Sequence, residues 1–113
     1  MKNLINVSNL SDLLQQLQQW KAPVFVYLSC RKGNSTFLVD NVVAKIQASY
    51  DAKIDYQKLN TITSRIIKSE LLLTEDPILL LVHAGEIKAI FTGIIALHQI
   101  EDKLAETIFL KQS

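Results

Sequence analysis

The residue best suited to covalent chemistry is Cys30, the one cysteine among 113 residues. A thiolate is a nucleophile, and Arg31, Lys32 or a nearby helix N-terminus could lower the pKa of this thiol. The pattern is compatible with a monothiol that forms mixed disulfides with a protein partner or with glutathione. The alternative, which we favour, is a small packing residue at the end of a strand. One cysteine excludes an internal disulfide and a four-cysteine metal site.

The polar run that follows, Gly33-Asn34-Ser35-Thr36, lies at a predicted helix N-terminus. Unpaired amides at such a terminus favour anions, and Arg31 and Lys32 precede it, so a phosphate or carboxylate site is one interpretation. A capped helix beside two solvated cations is the other, and we prefer it because it is a common surface pattern.

Charge and composition argue against several other classes of function. Twelve Lys and Arg residues oppose eleven Asp and Glu residues, so a general electrostatic attraction to nucleic acid or to an anionic membrane is not expected. His83 and His98 belong to no helical metal-binding motif, and we expect no metal and no other cofactor. The N-terminus shows no signal-peptide pattern, and we expect a cytoplasmic protein.

Hydrophobic periodicity predicts nine elements in the order β, α, β, α, β, α, β, β, α. Leu4–Val7 would be a short first strand, and Ser8 or Ser11 would cap the first helix. Val24–Leu28 is apolar on both faces, as in a buried central strand. Apolar residues at helical spacing predict the helices, and the second of these stripes contains Leu38, Val39, Val42, Val43 and Ile46.

The second half of the chain predicts a strand within residues 53–59, a helix within 62–73 and then a hairpin. The hairpin joins residues 78–82 to 87–91 through Ala84-Gly85. A final helix would use Leu97, Ile100, Leu104 and Ile108. Early alternation of strands and helices implies parallel pairing, and the hairpin adds antiparallel strands. We therefore predict one α/β domain over residues 1–113, with a mixed central sheet and helices on both faces.

These elements resemble thioredoxin over nearly the whole chain. Residues 53–60 resemble the third strand of that family, including its lysine, and residues 77–87 resemble its proline, apolar strand and glycine-centred hairpin. Gly93 falls where the family carries a glycine. The resemblance implies a thioredoxin-like fold and a cis peptide bond at Asp76–Pro77. It also implies a partner-binding groove that includes Gly93, Ile94 and Ile95.

The active-site motif departs from the family. The Trp-Cys-Gly-Pro-Cys positions fall at Lys32, Gly33, Asn34, Ser35 and Thr36, so both catalytic cysteines are absent. The buried aspartate that relays protons in the family falls at Tyr27. A hydroxyl is not redox-active, so dithiol–disulfide exchange is not expected. A glutathione-transferase-like use of Ser35 ranks last, because the chain is too short for the extra helical domain.

We predict a non-catalytic module that binds a protein or peptide partner, or a second copy, in the former active-site groove. Ile94 and Ile95 would either form an exposed contact patch or attach the last helix to the sheet, and the sequence favours neither. The alternative function is a monothiol redox protein that acts through Cys30. The predicted groove contains Cys30, Arg31, Lys32, Gly33, Asn34, Ser35, Thr36, Asp76, Pro77, Gly93, Ile94 and Ile95.

Overall fold

The computed structural model describes residues 4, 6–30, 37–50 and 53–108, which form four helices and four strands. In chain order these are α1 (Leu10–Leu17), β1 (Val24–Leu28), α2 (Phe37–Ser49), β2 (Asp55–Leu59), α3 (Thr61–Glu70), β3 (Ile78–His83), β4 (Glu86–Thr92) and α4 (Leu97–Thr107). The predicted mixed α/β architecture is confirmed.

The sheet has the strand order β2-β1-β3-β4. β1 pairs parallel to β2, with Val24 opposite Asp55, and antiparallel to β3, with Val24 opposite Val82. β4 returns antiparallel to β3 through Ala84 and Gly85, both with positive φ, as a tight hairpin turn requires. β1 and β3 are therefore the central strands, which explains their continuous apolar sequences.

Two hydrophobic cores lie on opposite faces of this sheet, because alternate residues of a strand point to opposite faces. The first core joins β1 and β3 to α1 and α3, through residues such as Leu13, Leu17 and Ile67. The second joins the other face to α2 and α4, through residues such as Ile46 and Ile100. Helices therefore cover both faces, as predicted.

The predicted first strand at Leu4–Val7 is wrong for the residues that the structure describes there. Leu4, Asn6 and Val7 belong to no strand, and Asn6 has a φ of 46°, which is incompatible with extended backbone. Leu4 and Val7 instead pack against the first core, and the Thr63 hydroxyl donates a hydrogen bond to the Val7 carbonyl at 2.9 Å. These apolar side chains therefore serve to pack against the core and not to form a strand.

Two details of the helices also differ from prediction. The N-cap of α1 is Asn9, whose side chain accepts a hydrogen bond from Asp12 N, and not Ser8 or Ser11. Leu38 belongs to the predicted apolar stripe of α2 but is 77% exposed, because it lies beside that stripe in the first turn. Among the described residues, no helix has the length and hydropathy needed to cross a membrane.

Candidate functional site

The candidate site lies where β1 ends, and α3 fixes the backbone there. Ser64 is fully buried, accepts a hydrogen bond from Ser29 N at 2.9 Å and has its hydroxyl 3.3 Å from the Leu59 carbonyl. Arg65 Nε donates to the Cys30 carbonyl at 3.2 Å. The exit of β1 is therefore held by side chains of α3.

An ion pair lies beside Cys30. Lys68 Nζ is 3.0 Å from Asp76 Oδ2, and the two side chains are only 20% and 16% exposed. Lys68 follows Arg65 by three positions, so one face of α3 supplies both cations. We call Cys30, Arg65, Lys68 and Asp76 the Asp76 cluster.

The thiol in this cluster is held in its protonated form. Cys30 is 7% exposed and belongs to the first core. Burial raises the pKa of the Cys30 thiol, as do the negative charge of Asp76 and a hydrogen bond to that carboxylate, while Lys68 and Arg65 lower it by less. The packing interpretation of Cys30 fits these surroundings, because a reactive cysteine needs an electropositive, partly exposed site.

The loop before β3 lies alongside the loop after β4. The Asp76–Pro77 bond is cis, as predicted, and Gly93 N donates to the Pro77 carbonyl at 3.1 Å. Gly93 has a φ of 71°, a conformation that glycine adopts without strain. The structure therefore brings Asp76, Pro77 and Gly93 together at this edge of the sheet.

Ile94 and Ile95, for which the sequence left two roles open, differ in exposure. Ile94 is 92% exposed, whereas Ile95 is partly buried and packs against the second core. Ile94 is therefore an exposed apolar side chain at this edge, and Ile95 attaches the start of α4 to the sheet.

The remaining predicted groove residues lie outside the described part of the chain. These are Arg31, Lys32, Gly33, Asn34, Ser35 and Thr36. The predicted anion site there, and the preferred alternative of a capped helix beside two solvated cations, therefore stay predictions.

A second polar cluster lies on the opposite face of β1. Tyr56 donates its hydroxyl hydrogen to Asp40 Oδ1 at 2.8 Å, and Lys58 Nζ lies 3.0 Å from the same carboxylate. Tyr27, in register with Lys58, is 4% exposed. We call Tyr27, Asp40, Tyr56 and Lys58 the Asp40 cluster.

Both phenols of the Asp40 cluster stay protonated. Burial raises the pKa of Tyr56, as do its hydrogen bond to Asp40 and the charge of that carboxylate. Burial and then the charges of Asp40 and Asp76 raise the pKa of Tyr27. The resemblance to thioredoxin would place Tyr27 at the position of a proton-relaying aspartate, but a phenol with a raised pKa is a poor acid and a poor base near neutral pH.

Sequence reasoning missed the charged residues that surround these positions. Arg65, Lys68 and Asp40 look like solvated helix residues, because partners eight to thirty-five positions away cannot be read from local spacing. A partial signal existed for α3, where Arg65 and Lys68 are three positions apart and therefore share one side of the helix.

The histidines show no link to either cluster. His98 is exposed on α4, and His83 Nε2 lies 3.2 Å from the Lys21 carbonyl beside the hairpin. Within the described residues, no group of three His, Cys, Asp or Glu side chains could hold a metal ion.

Comparison with known proteins identifies the fold. The sequence matches no protein-family model and no curated protein. Among solved structures, reduced desulfothioredoxin from Desulfovibrio vulgaris Hildenborough is similar, with a TM-score of 0.65 and 14% identity over 82% of this chain and 88% of that one. Thioredoxin NaTrxh from Nicotiana alata has a TM-score of 0.63 and 16% identity over 84% of this chain and 81% of that one. The chain therefore has the thioredoxin fold, with a single cysteine in place of a cysteine pair.

Proposed function

We propose that this protein is a non-catalytic binding module that holds an extended segment of a partner protein at the edge formed by Pro77, Gly93 and Ile94. The observation that carries the proposal is the environment of Cys30. The one thiol of the chain is buried, and its surroundings favour the protonated form. The scaffold therefore lacks both the second thiol and an activated first one.

The binding half of the proposal rests on the exposed edge. Ile94 is 92% exposed beside a backbone pair, Pro77 and Gly93, that is already fixed by a hydrogen bond. A large apolar side chain next to a fixed, partly exposed backbone suits an extended peptide, which can contribute both an apolar side chain and backbone hydrogen bonds.

Insulin reduction by dithiothreitol tests the absence of dithiol chemistry. We expect the same rate with the wild-type protein, with Cys30→Ser and with no protein, because the chain has no second thiol and Cys30 is buried and protonated. A wild-type rate above that of Cys30→Ser would overturn this half of the proposal.

Peptide selection tests the binding half. Random peptides without cysteine, displayed on phage, are selected against the full chain, and their affinities are then measured for Ile94→Ser and Ile90→Ser. Ile90 is 40% exposed within β4, away from the Pro77 edge, and serves as the matched control. We expect Ile94→Ser alone to weaken binding. Selection of no peptide, or equal effects of the two substitutions, would contradict the proposal.

The monothiol function is the second candidate, because Lys68 and Arg65 both lower the pKa of Cys30. Burial and Asp76 oppose them and have the larger combined effect. The rate of iodoacetamide alkylation against pH distinguishes the two functions. We expect slow alkylation that still rises above pH 9, whereas a plateau reached below about pH 7 would favour the monothiol.

A further inference from the structure

The carboxylate of Glu75 lies directly over Gly93. A methyl carbon placed on Gly93 would be 2.9 Å from Glu75 Oε2, closer than two such atoms approach in proteins. The carboxylate therefore occupies the space that a side chain at position 93 would fill. The absence of a side chain at Gly93 brings a negative charge against the backbone of the edge.

Glu75 differs from its neighbour Asp76 in how its charge is compensated. Asp76 is largely buried and pairs with Lys68, whereas Glu75 is exposed. Across the described residues, no lysine or arginine forms an ion pair with Glu75. No described lysine or arginine therefore competes with a partner's cation for this carboxylate.

Ile94 follows Gly93 directly, so a negative group and an apolar group flank the same glycine. Alternate side chains of an extended segment point to the same face, so one strand can present an apolar residue and a basic residue together. A second copy of this chain fits less well. If two copies met through this edge, the Glu75 carboxylates of the two chains would lie close together, and like charges repel.

We propose that the partner segment is a basic–apolar one: a Lys or Arg that pairs with Glu75, two positions from an apolar side chain that packs on Ile94. This inference rests on the proposed function and names the chemistry of its partner. Charge complementarity with Glu75 at the edge selects the partner, and contact with Ile94 supplies the apolar part of the affinity.

The test uses the peptides selected on the full chain. We expect enrichment of Lys or Arg two positions from Leu, Ile, Val, Phe or Met. Glu75→Lys should lower the affinity for these peptides about tenfold, and Glu75→Gln should lower it by a smaller factor. A selection repeated on Glu75→Lys should enrich Asp or Glu at the same position. Circular dichroism and thermal melts confirm that each variant folds.

Other outcomes separate this inference from the proposed function. Peptides that depend on Ile94 but lack a basic residue, or that bind Glu75→Lys unchanged, would refute the basic–apolar partner and leave the binding module intact. Selection of no peptide would refute both. Sedimentation could instead show a dimer that Ile94→Ser dissociates and Ile90→Ser does not. That result would assign the edge to self-association and refute the inference.

Discussion

The Asp76 cluster and the Asp40 cluster use the same pair of groups in different surroundings. Each has a lysine ammonium 3.0 Å from a carboxylate, and the two lie on opposite faces of β1. The Lys68 and Asp76 side chains are 20% and 16% exposed, whereas those of Lys58 and Asp40 are 47% and 35% exposed. Equal distances therefore do not mean equal energies, because water screens only the second pair effectively.

The clusters also hold different acids in the same state. In one, burial and Asp76 keep the Cys30 thiol protonated, and in the other, burial and Asp40 keep Tyr56 protonated. Cys30 is thus part of one core, and Tyr27 is part of the other. Both side chains therefore contribute to packing, each on its own face of the sheet.

Replacing each lysine by methionine should give the largest difference in stability between the two clusters. Lys68→Met removes the ammonium from a largely buried carboxylate, and we expect the free energy of unfolding to fall by about 3 kcal/mol. Lys58→Met should cost only about 0.5 kcal/mol, because water replaces the ammonium. Urea unfolding at pH 7 measures both, and equal losses would remove the distinction between the clusters.

Tyr56→Phe probes the hydrogen bond that supports the Asp40 cluster. Loss of the phenol hydroxyl should lower the free energy of unfolding by about 1.5 kcal/mol, because the bond is to a charged acceptor. A double-mutant cycle with Asp40→Asn isolates this pair. A coupling energy near zero would show that water replaces the phenol at no cost.

The pH dependence of stability tests both clusters together. The unfolded chain releases protons near the ordinary pKa values of 9.0 for cysteine and 10.0 for tyrosine, while the folded chain retains them. The unfolded state then binds fewer protons, so stability falls as pH rises, by at most about 1.4 kcal/mol per pH unit for each group.

We therefore expect the midpoint of urea unfolding to decrease from pH 8 upward. Cys30→Ser should flatten the first part of this decrease, and Tyr56→Phe the part above pH 10. A wild-type curve that is flat or rising between pH 8 and 10, or one that Cys30→Ser leaves unchanged, would contradict the raised thiol pKa.

The smallest expected effect concerns the reactivity of the thiol. Asp76→Asn removes a negative charge that raises the pKa of Cys30 and leaves the lowering effect of Lys68. Alkylation by iodoacetamide at pH 8 should become several-fold faster. Asp40→Asn is the matched control and should leave the rate unchanged, so a similar acceleration in both variants would show that local unfolding controls access.

The sequence predicted best those elements whose surroundings are uniform. β1 is buried on both faces, so its apolar run alone defines it, and Ala84-Gly85 has the residue types of a tight turn. Leu4–Val7 was predicted wrongly because apolar residues serve packing and strand formation alike. Leu38 lies in the predicted helix but is exposed, because a stripe of apolar residues does not show where the covering surface ends.

The candidate site was predictable in outline only. The resemblance to thioredoxin brought Asp76, Pro77 and Gly93 to one edge, and the structure places them there. The charge that surrounds Cys30 was not predictable, because Lys68 and Asp76 belong to different elements and meet only when α3 packs on the sheet. Tertiary contacts of this kind set the pKa of a group, and no local pattern encodes them.

The hairpin turn has a consequence for the order in which the chain folds. A methyl carbon on Gly85 would lie 3.1 Å from the Leu14 carbonyl oxygen, so the turn rests closely on α1, from the other end of the sequence. α1 has only eight residues, too few to be stable alone in water. Contact between α1 and the turn closes a loop of about seventy residues, and closing so long a loop is slow. We therefore expect α1 to gain protection from hydrogen exchange after the β3–β4 hairpin has formed.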